Sequence, residues 1–125
     1  MEYPILYQDF NSYINLSVET YLDLESRLVR KTLAEKEFLI QEGQIIRYLP
    51  FIHKGLMVNY RLDDEGEKHV IQIRWTGLWL GDIYSFFSGR PTKFNIRAYQ
   101  PTELLMINHE TFEYMIREYP IYERY

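Results

Sequence analysis

Apolar positions along the chain fall into three regimes. Ile5, Phe10, Tyr13 and Ile14 make one short stripe. Behind Ser17, an expected N-cap, Val18, Tyr21, Leu22, Leu28 and Val29 recur at roughly helical spacing. Residues 1–33 are therefore expected to be helical, with Glu25 and Ser26 interrupting the stripe. From Phe38 the period falls to two. A strand at 38–40 runs into the turn Glu42-Gly43-Gln44, and a second covers 48–53, where Pro50, lacking an N–H, belongs at an edge or bulge. Leu56, Val58, Tyr60 and Leu62 alternate with Met57, Asn59 and Arg61. Asp63-Asp64-Glu65-Gly66 is a hairpin loop, and His69, Ile71, Ile73 and Trp75 share one face of the return strand.

The third regime mixes both periods. Gly77 and Gly81 bracket the short extended piece Leu78-Trp79-Leu80. Residues 82–89 read as one or two helical turns, with Asp82 at the N-cap and Gly89 at the C-cap. Phe94, Ile96 and Ala98 share a strand face, and another strand covers 103–107. Asn108 caps a final helix whose buried stripe is Phe112, Met115 and Ile116, and Pro120 ends it. Short strands, turn residues at most junctions and helices at both ends predict one small antiparallel β-barrel or β-roll with packed helices.

Composition narrows the chemistry. The chain has no cysteine, which removes disulfides, thiolate nucleophiles and iron–sulfur sensing. Its 14 basic and 18 acidic residues leave a net charge of -4, the wrong sign for a non-specific nucleic-acid binder. No run approaches the ~18 apolar residues of a spanning helix, and no export signal opens the chain, so a cytoplasmic protein without membrane contact is expected. Most of the aromatic residues, 12 Tyr among them, are expected in the core, and those near the end, Tyr114, Tyr119, Tyr122 and Tyr125, include candidate dimer contacts, Tyr119 and Tyr122 foremost. A partly exposed amphipathic helix is the other reading of that segment.

Two segments carry more specific information: EFLIQEGQIIRYLPFIHKGLMVNYRLDDEGEKHVIQI and GLWLGDIYSFFSGRPTKFNIRA. In order and spacing they resemble the sensor domain of the Crp/Fnr superfamily of bacterial transcription regulators, over residues 33–119. The resemblance implies a mainly β domain with flanking helices, a double-stranded β-helix (jelly roll) of the cyclic-nucleotide-binding type. The roll would span about 34–107, with a C-terminal helix from about 108. It also implies a homodimer, a long dimerisation helix and a winged helix-turn-helix. The chain stops at Tyr125, about where that helix would begin, so DNA contact is expected only through a C-terminal domain outside it. A free-standing binding module of the same fold is the alternative.

Nucleotide-binding members of that superfamily hold the cyclic phosphate at a short helix after a Gly-Glu pair, using an arginine followed by serine or threonine. Gly81 and Asp82 match the pair, with a carboxylate one methylene shorter. The arginine and hydroxyl positions fall on Thr92 and Lys93, so the arginine is absent. Lys93 lacks the planar fork that grips phosphate. Loss of a bidentate charge-assisted contact weakens binding by about a hundredfold, so ordinary cyclic AMP binding is not expected. Gly81, Asp82, Ile83, Tyr84, Thr92 and Lys93 are the expected effector pocket, with Arg90 and Arg97 as further contacts for a small anionic effector. Three exposed basic residues without a ligand are the competing reading. Phe86 and Phe87 either stack on a ligand or plug an empty roll.

Other chemistry finds no constellation. His53, His69 and His109 lie on different elements without ligand spacing, so no metal or haem, and no cofactor, is expected. Asp63, Asp64, Glu65 and Glu67 occupy a hairpin tip. No nucleophile elbow or phosphate loop appears, which leaves a β-barrel enzyme as the weakest alternative.

Overall fold

A computed structural model describes residues 1–125. The order is α1 (Pro4–Asn11), α2 (Val18–Glu25), β1 (Val29–Leu33), β2 (Phe38–Ile40), β3 (Tyr48–Lys54), β4 (Leu56–Leu62) and β5 (Lys68–Trp75). Then come α3 (Ile83–Ser88), β6 (Asn95–Ala98), β7 (Thr102–Asn108), α4 (His109–Glu118) and a 3-10 turn, Pro120–Arg124. The strands make two antiparallel sheets, ordered β1-β7-β3 and β2-β6-β4-β5, the small antiparallel β-roll that the patterning expects and the jelly roll that the resemblance implies.

The first sheet separates two cores by simple alternation. Ile52, Leu104 and Met106 face the roll interior, where they meet Leu33, Met57, Leu80, Ile96 and Ala98. Phe51, Leu105 and Ile107 face the other way, onto Leu6, Phe10, Ile14, Tyr21, Leu24 and Met115 of the helices. The helical core has 12 buried residues against 8 in the roll, so the terminal helices are integral to the fold.

The continuous helical reading of 1–33 is corrected. Val29–Leu33 is a strand, paired with β7 from Val29↔Met106 to Leu33↔Thr102. Local spacing does not register that long-range pairing, which buries Leu33 completely. The helical stripe is also displaced. Leu6 and Phe10, and Tyr21 and Leu24, point inward, whereas Ile5, Tyr13, Val18 and Leu22 are exposed.

The caps follow the sequence. Ser17, Asp82 and Asn108 accept hydrogen bonds from the backbone N–H groups of Thr20, Ser85 and Thr111. Gly89 closes α3 in the left-handed region at φ 73°. Pro50 lies on β3, an edge strand of its sheet. In β4 the inward residues are Met57 and Asn59, and a bulge between Asn59 and Tyr60 lets Tyr60 become buried too. Across from them, Val70, Ile71, Ile73 and Trp75 of β5 are about half exposed.

Candidate functional site

The turn at Gly81 fixes the start of α3. Gly81 has φ +125°, and a Cβ there would stand 3.3 Å from Pro50 Cδ. Asp82 follows as N-cap, its Oδ1 accepting from the Ser85 N–H at 3.1 Å. Its other oxygen, Oδ2, accepts from the Ser85 hydroxyl at 2.5 Å and the Thr92 hydroxyl at 3.1 Å. Thr92 is 2% exposed. Its N–H donates to the Gln44 carbonyl, its carbonyl accepts from the Gly43 N–H, and its Oγ1 accepts from the Phe94 N–H. The turn at 41–44, the loop before β6 and α3 are thus tied at one carboxylate.

The structure brings Gly81, Asp82 and Thr92 together, and Ser85 with them. None of the expected cations bonds to Asp82. Arg90 and Lys93 are exposed and make no ion pair. Arg97 alternates with the inward Ile96 and Ala98, so it lies on the outer face of its sheet, with its guanidinium 5.6 Å from the Phe38 ring centroid. Ile83 and Tyr84 are 61% and 67% exposed. An anion entering beside Asp82 meets a carboxylate and no paired cation.

Two hollows touch Gly81, and the one on the side of the helices and β5 measures about 420 Å³. The hollow that touches Gly81 from the roll side measures about 50 Å³ and is lined by Ile40, Ile46, Tyr48, Pro50, Ile96 and Met106 among others. Ligand pockets run to roughly 300–1,000 Å³. Phe86 and Phe87 do not plug this hollow, contrary to one expectation. Phe86 is buried and stacks on His109 with ring centroids 3.9 Å apart, and Phe87 sits 5.1 Å from Phe112. Both join α3 to α4.

The histidines are held separately. His53 is edge-on to Tyr3, His69 bonds Asp63 at 2.8 Å, and His109 belongs to the α3–α4 contact. Asp63, Glu67 and His69 lie close enough to share an ion, but Asp63 Oδ1 already accepts from the Glu65 and Glu67 N–H groups and Oδ2 bonds His69. Tyr119 and Tyr122 are engaged inside the chain. The Tyr119 hydroxyl donates to Asp23 at 2.7 Å, and Tyr122 is 8% exposed against Phe10. Tyr122 is buried within the chain, whereas Tyr119 remains half-buried. No helix is long and apolar enough to cross a membrane.

Residues 30–119 match the profile of the cyclic nucleotide-binding domain. The chain belongs to the cyclic nucleotide-binding domain family. No curated protein matches it by sequence. Solved structures share the fold at low identity. The catabolite activator protein of Thermus thermophilus is 18% identical, with a TM-score of 0.80 over 90% of this chain and 52% of that one. The sensor domain of the transcriptional regulator DNR from Pseudomonas aeruginosa is 14% identical, with a TM-score of 0.79 over 94% of this chain and 77% of that one. The regulatory subunit of a cAMP-independent protein kinase A from Trypanosoma brucei is 19% identical, with a TM-score of 0.74 over 91% of this chain and 40% of that one. The chain spans about half the length of the Thermus protein.

As a cyclic nucleotide-binding domain, the chain departs from the expected phosphate seat at the acid and at the arginine. What the sequence alone missed is Ser85, which completes the closure. Its signal was present: a serine three residues after a capping aspartate places a hydroxyl beside that carboxylate.

Proposed function

We propose that this chain is the sensor and dimerisation domain of a bacterial DNA-binding transcription regulator that operates without cyclic AMP. The observation that carries the reading is the carboxylate of Asp82, closed on the hydroxyls of Ser85 and Thr92, with Thr92 and Lys93 where the phosphate arginine and its hydroxyl neighbour are expected. The likeness to a catabolite activator and to the DNR sensor domain supports the regulator assignment, and the likeness to a cAMP-independent kinase regulatory subunit supports the loss of the nucleotide.

The coupling path would run from α3 to α4. Phe86 stacks on His109 and Phe87 packs on Phe112, so a shift of α3 is felt at the helix that leads out of the domain. An effector moves such a device only by binding its two states with different affinity. The DNA contact itself would come from a domain outside this chain.

The test is DNA capture by the native gene product, followed by binding to the recovered promoter with and without cyclic AMP. Sequence-specific binding that cyclic AMP leaves unchanged is expected. Absence of DNA binding would remove the regulator assignment, and activation by cyclic AMP would remove the nucleotide-free part of it.

A further inference from the structure

A second hollow, larger than the one on the roll side of Gly81, opens between the helices and the inward face of β5. It is a groove of about 420 Å³ bounded by α1, α4, the 79–81 turn and β5. Its walls are mostly apolar, with Phe10, Trp79, Ile107, Phe112 and Met115 among them. Two polar side chains enter it from β5, Gln72 and Arg74. In the β4–β5 register Arg74 stands opposite Met57 and Gln72 opposite Asn59, both buried, so the two share the inward face of the sheet.

Arg74 is unusual among the arginines. Like Arg47, Arg61, Arg90, Arg97 and Arg124 it makes no ion pair, but it alone has an Nε–H buried without an acceptor. A buried donor left unpaired is costly, and each such group calls for an explanation. A guanidinium remains charged at any ordinary pH, and its planar fork fits a carboxylate. The groove thus combines an apolar body of ligand size with one cation that nothing in the chain neutralises.

We propose that this groove binds an amphipathic carboxylic acid of medium chain length, its hydrocarbon tail against Phe10, Trp79 and Met115 and its carboxylate on Arg74. A plain hydrocarbon leaves Arg74 unanswered. A nucleotide sets a polar sugar and base against apolar walls. This binding goes beyond the proposed function and does not depend on any DNA contact.

The test is calorimetric titration of the full chain with decanoate, decanol and decylamine, each below its aggregation range. The expected result is saturable one-to-one binding of decanoate, decanol weaker by about tenfold or more, and no binding of decylamine. Arg74→Gln is expected to weaken decanoate by about tenfold or more and leave decanol unchanged. Ile116→Trp, which fills the groove, is expected to abolish both. Equal binding of decanoate and decylamine, an unaffected Arg74→Gln, or no saturable binding to the folded chain overturns the proposal. Sedimentation is run alongside, and a self-associated form that excludes decanoate gives the groove to a second copy and overturns it too. Should Arg74→Gln fail to fold, the three ligands on the unaltered chain still decide. Failure here leaves the cyclic AMP result and the DNA result untouched.

Discussion

The Thr92 hydroxyl donates to Asp82 Oδ2 across 3.1 Å, so the loop before β6 is fastened to the cap of α3. A buried hydroxyl bonded to a carboxylate is worth more than a neutral pair, because one partner is charged. Thr92→Val keeps the shape and removes the bond. It is expected to cost about 1–3 kcal/mol, read as a lowered melting temperature. Asp82→Ala removes the cap and both hydroxyl contacts and is expected to cost at least as much. Unchanged melting of both variants would show that the closure contributes nothing.

The α3–α4 contact should behave as one unit. Phe86 is fully buried and stacks on His109, with Phe87 and Phe112 beside it. Phe86→Ala is expected to destabilise by about 3–5 kcal/mol. Amide exchange should accelerate in both α3 and the first turn of α4. Acceleration confined to α3 would argue against coupling between the two helices.

Gly55 joins β3 to β4 at φ +134°, and a Cβ there would lie 2.3 Å from Thr102 Oγ1 and 2.7 Å from the Thr102 backbone. Neither the conformation nor the space admits a side chain. Gly55→Ala is expected to lose about 3 kcal/mol or more, or to fail to fold, as judged by chemical denaturation. Near-native stability would mean that the β3–β4 turn relaxes freely.

Acid sensitivity should centre on Asp23, which ties α2 to the C-terminal segment. The Tyr119 hydroxyl, Arg27 and the Tyr114 hydroxyl all bond its carboxylate and hold it below the ordinary range. The same bond to Asp23, with burial, pushes the Tyr119 phenol up to about 12. A carboxyl depressed in the folded state stabilises above its unfolded pKa of about 3.9, and that stability is lost as pH falls through the folded value. Tyr119→Phe should move Asp23 back toward the ordinary range and flatten the acid limb of the stability curve. Carboxyl NMR titration reads this directly, and an Asp23 that titrates normally in the unaltered chain would contradict it.

Much of the fold was legible because it rests on local rules. Caps at Ser17, Asp82 and Asn108, the left-handed stop at Gly89 and the hairpin at Asp63 depend on side chains within a few residues. Strand β1 was not legible, because its pairing partner lies some seventy positions away in β7. The phase of β4 was obscured by the bulge at Asn59, since one extra residue reverses which side chains point inward. At the site, the missing arginine followed from the family resemblance, counted from Gly81. The fate of Lys93, Arg90 and Arg97 did not, because proximity in sequence does not say which sheet face a side chain takes. The roles of Tyr119 and Tyr122 depended on Asp23 and Phe10, about a hundred residues away.

The most direct measurement is a thermal melt of the purified chain with cyclic AMP and cyclic GMP at increasing concentration. A ligand that binds only the native state raises the melting temperature by mass action. With Asp82 closed by Ser85 and Thr92, and no arginine at the position that Thr92 and Lys93 occupy, the melting temperature is predicted not to move with either nucleotide. A saturable rise with cyclic AMP would contradict the account, because it would require the seat to open and to hold a phosphate without its arginine.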